Sequence, residues 1–421
     1  MTIVAIFLVL FAAKTAVSLT LTLLNRKEML RNQNDVPADY ADHVKIEDYK
    51  KSIAYSLENT RFGLICKPYD IAWTLAWTLG LYALLFAFAS ESLGLVAGTT
   101  GWNAIWREGV ICIALTILMS LTDIPLDLYE TFHIEEKYGF NKMTPKLWIV
   151  DQIKGVALEI IIGLPLACLL LAIYHAFPQT WWIIGQCVFF AIQLVLMVIY
   201  PKVILPLFNK LTPLPEGELR EALVALADKA GFVADKIEVI DGSKRSGHSN
   251  AYFTGFGKWR RIVLFDTLIE QLSVDEIRSV LAHEIGHSKK GHITKSLIIS
   301  FFMGFVGFGI VAAALAWEPL FEAFGFEYRE GLMIVPAFFL IGVIAPLITF
   351  WITPISSYFS RKHEYEADAY AKELIGNGEA LISGLRKLNK ENLSNLTPHP
   401  WFVRFYYSHP TLAQRSAALK K

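Results

Sequence analysis

Charge is what this chain has least of. Asp, Glu, Lys and Arg supply 19% of its 421 residues, against roughly 25% in an average soluble domain. A soluble fold of this length needs more polar surface than that leaves. An excess of either sign is missing as well, since Lys+Arg is 39 and Asp+Glu is 39. That balance speaks against a general nucleic-acid binder, which would be basic. The four cysteines, Cys66, Cys112, Cys168 and Cys187, form no C-x-x-C pair. A disulfide framework and a Cys-based zinc site are therefore not expected, and the four read as small apolar residues. Internal repeats and low-complexity tracts are missing, and the polar, charge-rich composition of a disordered chain is missing with them. What is abundant is apolar surface. Hydrophobic residues make up 54% of the chain and aromatic residues 13%, with a mean hydropathy of +0.41. The composition argues for membrane residence.

A helix that crosses a bilayer needs about 20 apolar residues. Runs of that kind lie near 3–24, 71–89, 109–128, 153–176, 181–205, 296–317 and 332–352. The first span, having no basic residue before it, reads as a retained helix and not a signal peptide. Basic residues crowd 25–70 and recur in 129–152, in the polar stretch 206–295 and in the tail, while 91–108 and 318–331 carry only Arg107 and Arg329. The N-terminus is thus expected outside and both large polar regions, with the C-terminus, on the cytoplasmic face. The sequons at Asn392 and Asn395 are then expected to stay unglycosylated. Within the spans stand Lys14, Asp123, Asp127, Glu130, Glu159 and Gln193. Such residues are costly in lipid, and they point either to hydrogen bonds between helices or to a watered interior.

The chemistry is concentrated in His283-Glu284-Ile285-Gly286-His287, an H-E-x-x-H sequence. Ser273 and Glu276 form an S-x-x-E start signal. Ile277, Val280, Leu281 and Ile285 follow at helical spacing, and Gly291 marks the helix end. His283 and His287 then leave one helix face a turn apart, as two ligands of a tetrahedral zinc would, with Glu284 beside a metal-bound water. A third ligand is required. Position 293 is Ile, so a histidine ten residues after His283 is ruled out, and His292 reads as a polar residue at the membrane boundary. Downstream, Ser360-Arg361-Lys362-His363-Glu364-Tyr365-Glu366-Ala367-Asp368-Ala369 offers Glu364 and Asp368 on one helix face, four residues apart. Glu364 is the candidate ligand, with Glu366 and His363 as rivals. Asp368 can accept a hydrogen bond from a ligating imidazole. Ala367 and Ala369 would let the two helices pack closely.

These two motifs, together with Tyr138-Gly139-Phe140-Asn141-Lys142-Met143-Thr144, Pro206-Leu207-Phe208-Asn209-Lys210, His248-Ser249-Asn250-Ala251-Tyr252-Phe253-Thr254-Gly255 and Tyr406-Tyr407-Ser408-His409-Pro410, resemble the type I CAAX prenyl proteases, membrane-embedded zinc endopeptidases. The resemblance runs over nearly the whole chain. It implies a membrane all-α fold of seven transmembrane helices, arranged as an α-barrel around an intramembrane chamber and closed by a gluzincin-like zinc protease domain. It implies one Zn2+ held by His283, His287 and Glu364, Glu284 as catalytic base and Asp368 as the partner behind a ligand. Asn250, Ala251 and Tyr252 would pair with substrate backbone, and His409 and Arg415 would lie near the bound peptide. From the residues themselves, 250–254 and 261–265 read as two strands joined through the Gly255–Gly257 turn region, a small β-hairpin whose edge can take an extended peptide. His409 before Pro410 reads equally well as a turn residue.

The expected organisation is spans one to five in 1–205, a zinc-protease region in 206–295, spans six and seven in 296–352, and a C-terminal cytoplasmic region in 353–421. Lys289, Lys290 and Lys295 put the zinc helix at the inner membrane boundary. A scissile bond near that boundary suits a lipid-modified or membrane-inserted peptide or protein substrate, in contact with membrane lipid. The resemblance implies removal of the AAX tripeptide of isoprenylated CAAX proteins. It places the chain in the endoplasmic reticulum membrane of a eukaryote or the inner membrane of a bacterium. In a bacterium, quality control of non-prenylated membrane proteins is the alternative. An inactive scaffold or transporter with a vestigial zinc site is the alternative of another class.

Overall fold

The computed structural model describes residues 2–95, 101–231, 236–254 and 261–421. The turn region Gly255–Gly257 lies outside the described residues. In chain order come helices α1 Thr2–Asn32, α2 Ile46–Ser92, α3 Trp102–Tyr138, α4 Pro145–Ala176 and α5 Trp181–Phe208. Strand β1 Leu211–Pro213, helix α6 Glu218–Lys229 and strands β2 Lys236–Ile240, β3 Ala251–Thr254 and β4 Arg261–Phe265 follow. Next are α7 Asp266–Gln271, α8 Val274–Lys289, α9 His292–Leu315, α10 Glu318–Ala323 and α11 Ile334–Ile375. The chain closes with α12 Glu379–Glu391, α13 Pro400–Tyr406 and α14 Leu412–Lys420.

The seven apolar runs fall in α1, α2, α3, α4, α5, α9 and α11, which among the described residues are the helices long and apolar enough to cross a membrane. Several are much longer than the runs. The 47 residues of α2 form two arms about a kink at Leu79 and Gly80, and the arm before it, 46–78, alone runs for about 50 Å, well beyond the roughly 30 Å hydrocarbon thickness. Lys, Glu and Arg end a hydropathy window, but they are good helix formers and do not end a helix. Glu130 and Glu159 each begin a widened π-helical turn, at Glu130–Glu135 and Glu159–Gly163.

The spans form a ring. Each packs on its predecessor and its successor, and α11 returns to α1. At the end remote from α8 the ring is sealed by apolar side chains from every span, among them Phe7, Trp77, Ile111, Leu171, Trp181, Phe308 and Leu340. Halfway along, the packing opens. Residues 8–20, 116–133, 142–167, 187–200 and 293–307 include no buried position. A solid bundle would bury one stripe of each helix. Seven axes about 10 Å apart in a ring sit about 11 Å from its centre, too far for side chains to fill the lumen. Lys14, Asp123, Asp127, Glu130, Glu159 and Gln193 all stand in these unburied stretches.

The other end is closed by a second core. Leu223 and Leu226 of α6, Ile262 and Leu264 of β4, Ile277, Leu281 and Ile285 of α8, and Leu381 and Ile382 of α12 meet there. The sheet has strand order β1-β2-β4-β3. The expected hairpin is its β3–β4 pair, antiparallel from Ala251↔Leu264 to Thr254↔Arg261. It is enlarged by β2, parallel to β4, and by β1. This order leaves β3 at an edge.

Candidate metal centre

Helix α8 starts where its residues dictate. Ser273 accepts from the Glu276 amide, and the Glu276 carboxylate accepts from the Ser273 amide at 2.8 Å. Glu276 also accepts from Ser383 at 2.6 Å and Lys387 at 2.7 Å, which fastens α12 to the cap. Burial opposes ionisation of Glu276, but Lys387 and the hydroxyls outweigh it and hold its pKa below the usual carboxylate range. The apolar stripe of α8 enters the core and turns His283 and His287 towards α11. Gly286 permits the approach, because a Cβ there would lie 3.0 Å from the backbone of Ala367. Of the two expected small residues, Ala367 is at this contact, whereas Ala369 is exposed and takes no part. Gly291, at φ +71°, ends α8 in the left-handed conformation and turns the chain into α9.

The three candidate ligands converge as ligands of one dication would, each imidazole approached by a different oxygen of Glu364. His283 Nε2 is 3.2 Å from His287 Nε2 and 3.4 Å from Glu364 Oε2, and His287 Nε2 is 3.2 Å from Glu364 Oε1. A tetrahedron with zinc–ligand bonds of about 2.05 Å has edges of about 3.3 Å. Glu364 is buried, and its Oε2 has no hydrogen-bond partner. Burial opposes an imidazolium at His283, but Asp368 and Glu364 outweigh it and raise the His283 pKa. The same two carboxylates would also favour a metal dication beside the ring.

Each imidazole is held from behind. His283 Nδ1 lies 2.8 Å from Asp368 Oδ1. With Nε2 facing the ligand cluster, Nδ1 carries the hydrogen and donates it to Asp368. Arg415 closes on Asp368 with two bonds, Nε to Oδ2 at 2.9 Å and a terminal nitrogen to Oδ1 at 2.6 Å. Its other terminal nitrogen is 3.5 Å from Glu364. Burial opposes this guanidinium, yet Asp368 raises its pKa further. His287 is backed by a longer chain. Its Nδ1 is 3.0 Å from His292 Nδ1, and His292 Nε2 is 2.9 Å from Glu366 Oε2. His292 is buried and stacks on His363 at 4.0 Å. His292, read as a polar residue at the membrane boundary, opens the span-six helix and also packs inside the site. Its spacing of five from His287 puts it off the helix face that the motif defines, so periodicity gave no signal for it. The rivals of Glu364 are accounted for by the same contacts, Glu366 with His292 and His363 against its ring.

A cleft of about 580 Å3 runs along this centre, lined by Asn250, Ala251, Glu284, Glu364, His409 and Arg415 among others. Glu284 makes no hydrogen bond or ion pair to a described residue, and burial raises its pKa despite the neighbouring histidines. His409 is largely accessible within the cleft, with Nε2 3.5 Å from Glu364 Oε1. Loss of bulk water lowers its pKa. The Ser408 hydroxyl lies 2.9 Å from His409 Nδ1. If Ser408 donates, the ring keeps its hydrogen on Nε2, facing the centre; nothing in the sequence pattern singled out Ser408. Asn250 is exposed, and its backbone carbonyl accepts from the Phe265 amide at 3.2 Å. Ala251 and Tyr252 lie on the edge strand β3. Asn250, Ala251, His409 and Arg415 thus line the same cleft as Glu364, with Arg415 buried against Asp368.

Two family models match the chain. One, described as CAAX prenyl protease N-terminal, five membrane helices, matches residues 25–210, and that of peptidase family M48 matches residues 213–421. The chain is 39% identical to CAAX prenyl protease 1 of Saccharomyces cerevisiae, over 92% of this chain and 89% of the relative. It is 41% identical to the Oryza sativa homolog, over 89% and 87%. The crystal structure of S. mikatae Ste24p superposes with a TM-score of 0.86 at 36% identity, covering 99% of this chain and 97% of that one.

Proposed function

The chain belongs to the CAAX prenyl protease family of M48 peptidases, and on that premise we propose that it is an integral-membrane zinc endopeptidase that removes the last three residues of isoprenylated CAAX proteins. His283, His287 and Glu364 hold one Zn2+. When bound, the metal supplies a water of lowered pKa and a Lewis acid for the scissile carbonyl. Glu284 takes the proton of the attacking water and returns it to the leaving amine. His409 donates from Nε2 towards the carbonyl oxygen as charge builds on it. Asp368 fixes the tautomer of His283, and Arg415 holds Asp368 and faces Glu364. The edge of β3, from Asn250 through Ala251 to Tyr252, takes the substrate as an added strand. The loop charges put the zinc region and C-terminus on the cytoplasmic face and the N-terminus outside or in the lumen. The compartment is the endoplasmic reticulum membrane in a eukaryote or the inner membrane in a bacterium.

One observation carries this reading: on two helices, two imidazole nitrogens stand 3.2 Å apart with an oxygen of the buried Glu364 carboxylate within 3.4 Å of each, as ligands of one zinc would. The test is hydrolysis of a farnesylated CAAX peptide by the purified full chain. Release of the tripeptide, abolished by chelator and restored by Zn2+, is expected. Cleavage confined to unprenylated membrane proteins would replace the substrate assignment with membrane quality control. Bound zinc without any hydrolysis would overturn the enzyme.

A further inference from the structure

A second cavity, of about 960 Å3, lies between α2 and α3 at the basic end of the barrel. Towards the remote end these two helices pack directly through the apolar seal. Here they draw apart, with hydrogen bonds towards the two limits of the gap and an aromatic pair between them. Tyr69 donates to the Thr122 carbonyl at 2.6 Å at one limit, and Tyr138 donates to Glu58 at 2.7 Å at the other, where Lys137 also pairs with Glu58. Between them Phe62 stacks on Tyr129 at 5.0 Å, and Ile65 and Leu126 line the wall. Arg61 of α2 and Arg26 of α1 border the same cavity, and neither makes a hydrogen bond or ion pair with a described residue. The one acid of the lining, Glu58, is already engaged.

We propose that this groove binds an anionic phospholipid, with its phosphate on Arg26 and Arg61 and the start of an acyl chain along Ile65 and Leu126. Three features favour that occupant. The volume is at the upper end of small-ligand sites, about 300–1,000 Å3. Two unpaired guanidinium groups give a positive charge, and guanidinium matches phosphate geometry. The level is right too, because the groove begins where the apolar runs of α2 and α3 give way to Lys, Arg and Tyr, the depth of lipid headgroups. The lipid would fill the barrel wall where side chains leave it open.

Native mass spectrometry of the full chain in detergent tests this with dioleoylphosphatidylserine, dioleoylphosphatidylcholine and inorganic phosphate as separate probes. The wild type retains one phosphatidylserine in preference to phosphatidylcholine. The double variant R26Q/R61Q weakens that retention roughly thirtyfold. Arg107→Gln, at the opposite end of the barrel, leaves it unchanged. Ile65→Trp, which fills the apolar part and keeps both charges, also lowers it. Equal retention of the two lipids, or undiminished retention by R26Q/R61Q, overturns the proposal. Inorganic phosphate that displaces the lipid at equal concentration, with Ile65→Trp silent, overturns it in favour of a free-anion site.

Discussion

The metal centre and the middle of the barrel treat polar groups in opposite ways. At the centre, His283, His287, His292, Asp368 and Arg415 are each held by named partners within 3.0 Å. In the barrel, Lys14, Asp123, Glu130, Glu159 and Gln193 make no side-chain hydrogen bond or ion pair with a described residue. Asp127 is the exception, accepting from Trp148 at 2.8 Å and Gln152 at 3.2 Å. Buried polar groups must be satisfied and therefore fix geometry. Polar groups beside water need no fixed partner. The first region is built for position and the second for room.

Substitutions can break that contrast. The largest effect is expected from Glu364→Ala, which should reduce zinc stoichiometry towards zero by metal analysis. Full zinc occupancy would hand the ligand role to Glu366 or His363. Glu284→Gln should keep the zinc and lower kcat/KM by about 10²–10⁴-fold; a variant of near wild-type activity removes Glu284 as base. Next come the groups behind the ligands. Asp368→Asn and His292→Ala should each weaken zinc affinity by about 10–100-fold in a chelator competition. Equal affinity for His292→Ala would show that only one imidazole needs a partner.

Smaller effects concern the frame. Glu276→Gln should lose about 1 kcal/mol of stability, the usual size of a lost cap. The folded pKa of Glu276 lies below its unfolded value, so its contribution is present above about pH 4.3 and is lost as pH falls through the folded pKa. The difference in Tm between wild type and Glu276→Gln should shrink accordingly on acidification, and a constant difference would show that the charge is irrelevant. At the bottom of the scale, Lys14→Gln should stay within about 0.5 kcal/mol of wild type with full zinc. A large loss there would mean that the barrel interior is as tightly organised as the metal centre.

The sequence made some of this legible and hid the rest for physical reasons. Apolar runs revealed seven spans, because hydropathy measures the bilayer. They understated helix length, since α2 and α11 continue as charged helices in water. The spacing of His283 with His287, and of Glu364 with Asp368, exposed two helix faces, and the cap at Ser273 and Glu276 stood in the letters themselves. His292 and Glu366 stayed hidden because their meeting depends on a left-handed turn at Gly291 and on a helix from another part of the chain. β1 and β2 are short and pair across long sequence distances, with no local turn signal between them. The hairpin had such a signal, and it was found.

The short link at Gly291 has one more consequence. Helix α8 joins span six within a few residues, and Glu364 stands on the same helical run as span seven. The three candidate ligands are therefore extensions of two membrane helices. The link to α9 is a turn at Gly291 and the link to span seven passes through a 3-10 turn at Phe350–Ile352, so each ligand-bearing segment is joined to its span by only a few residues. The frame that seats the donor set in the bilayer is thus the same frame that brings its three side chains together.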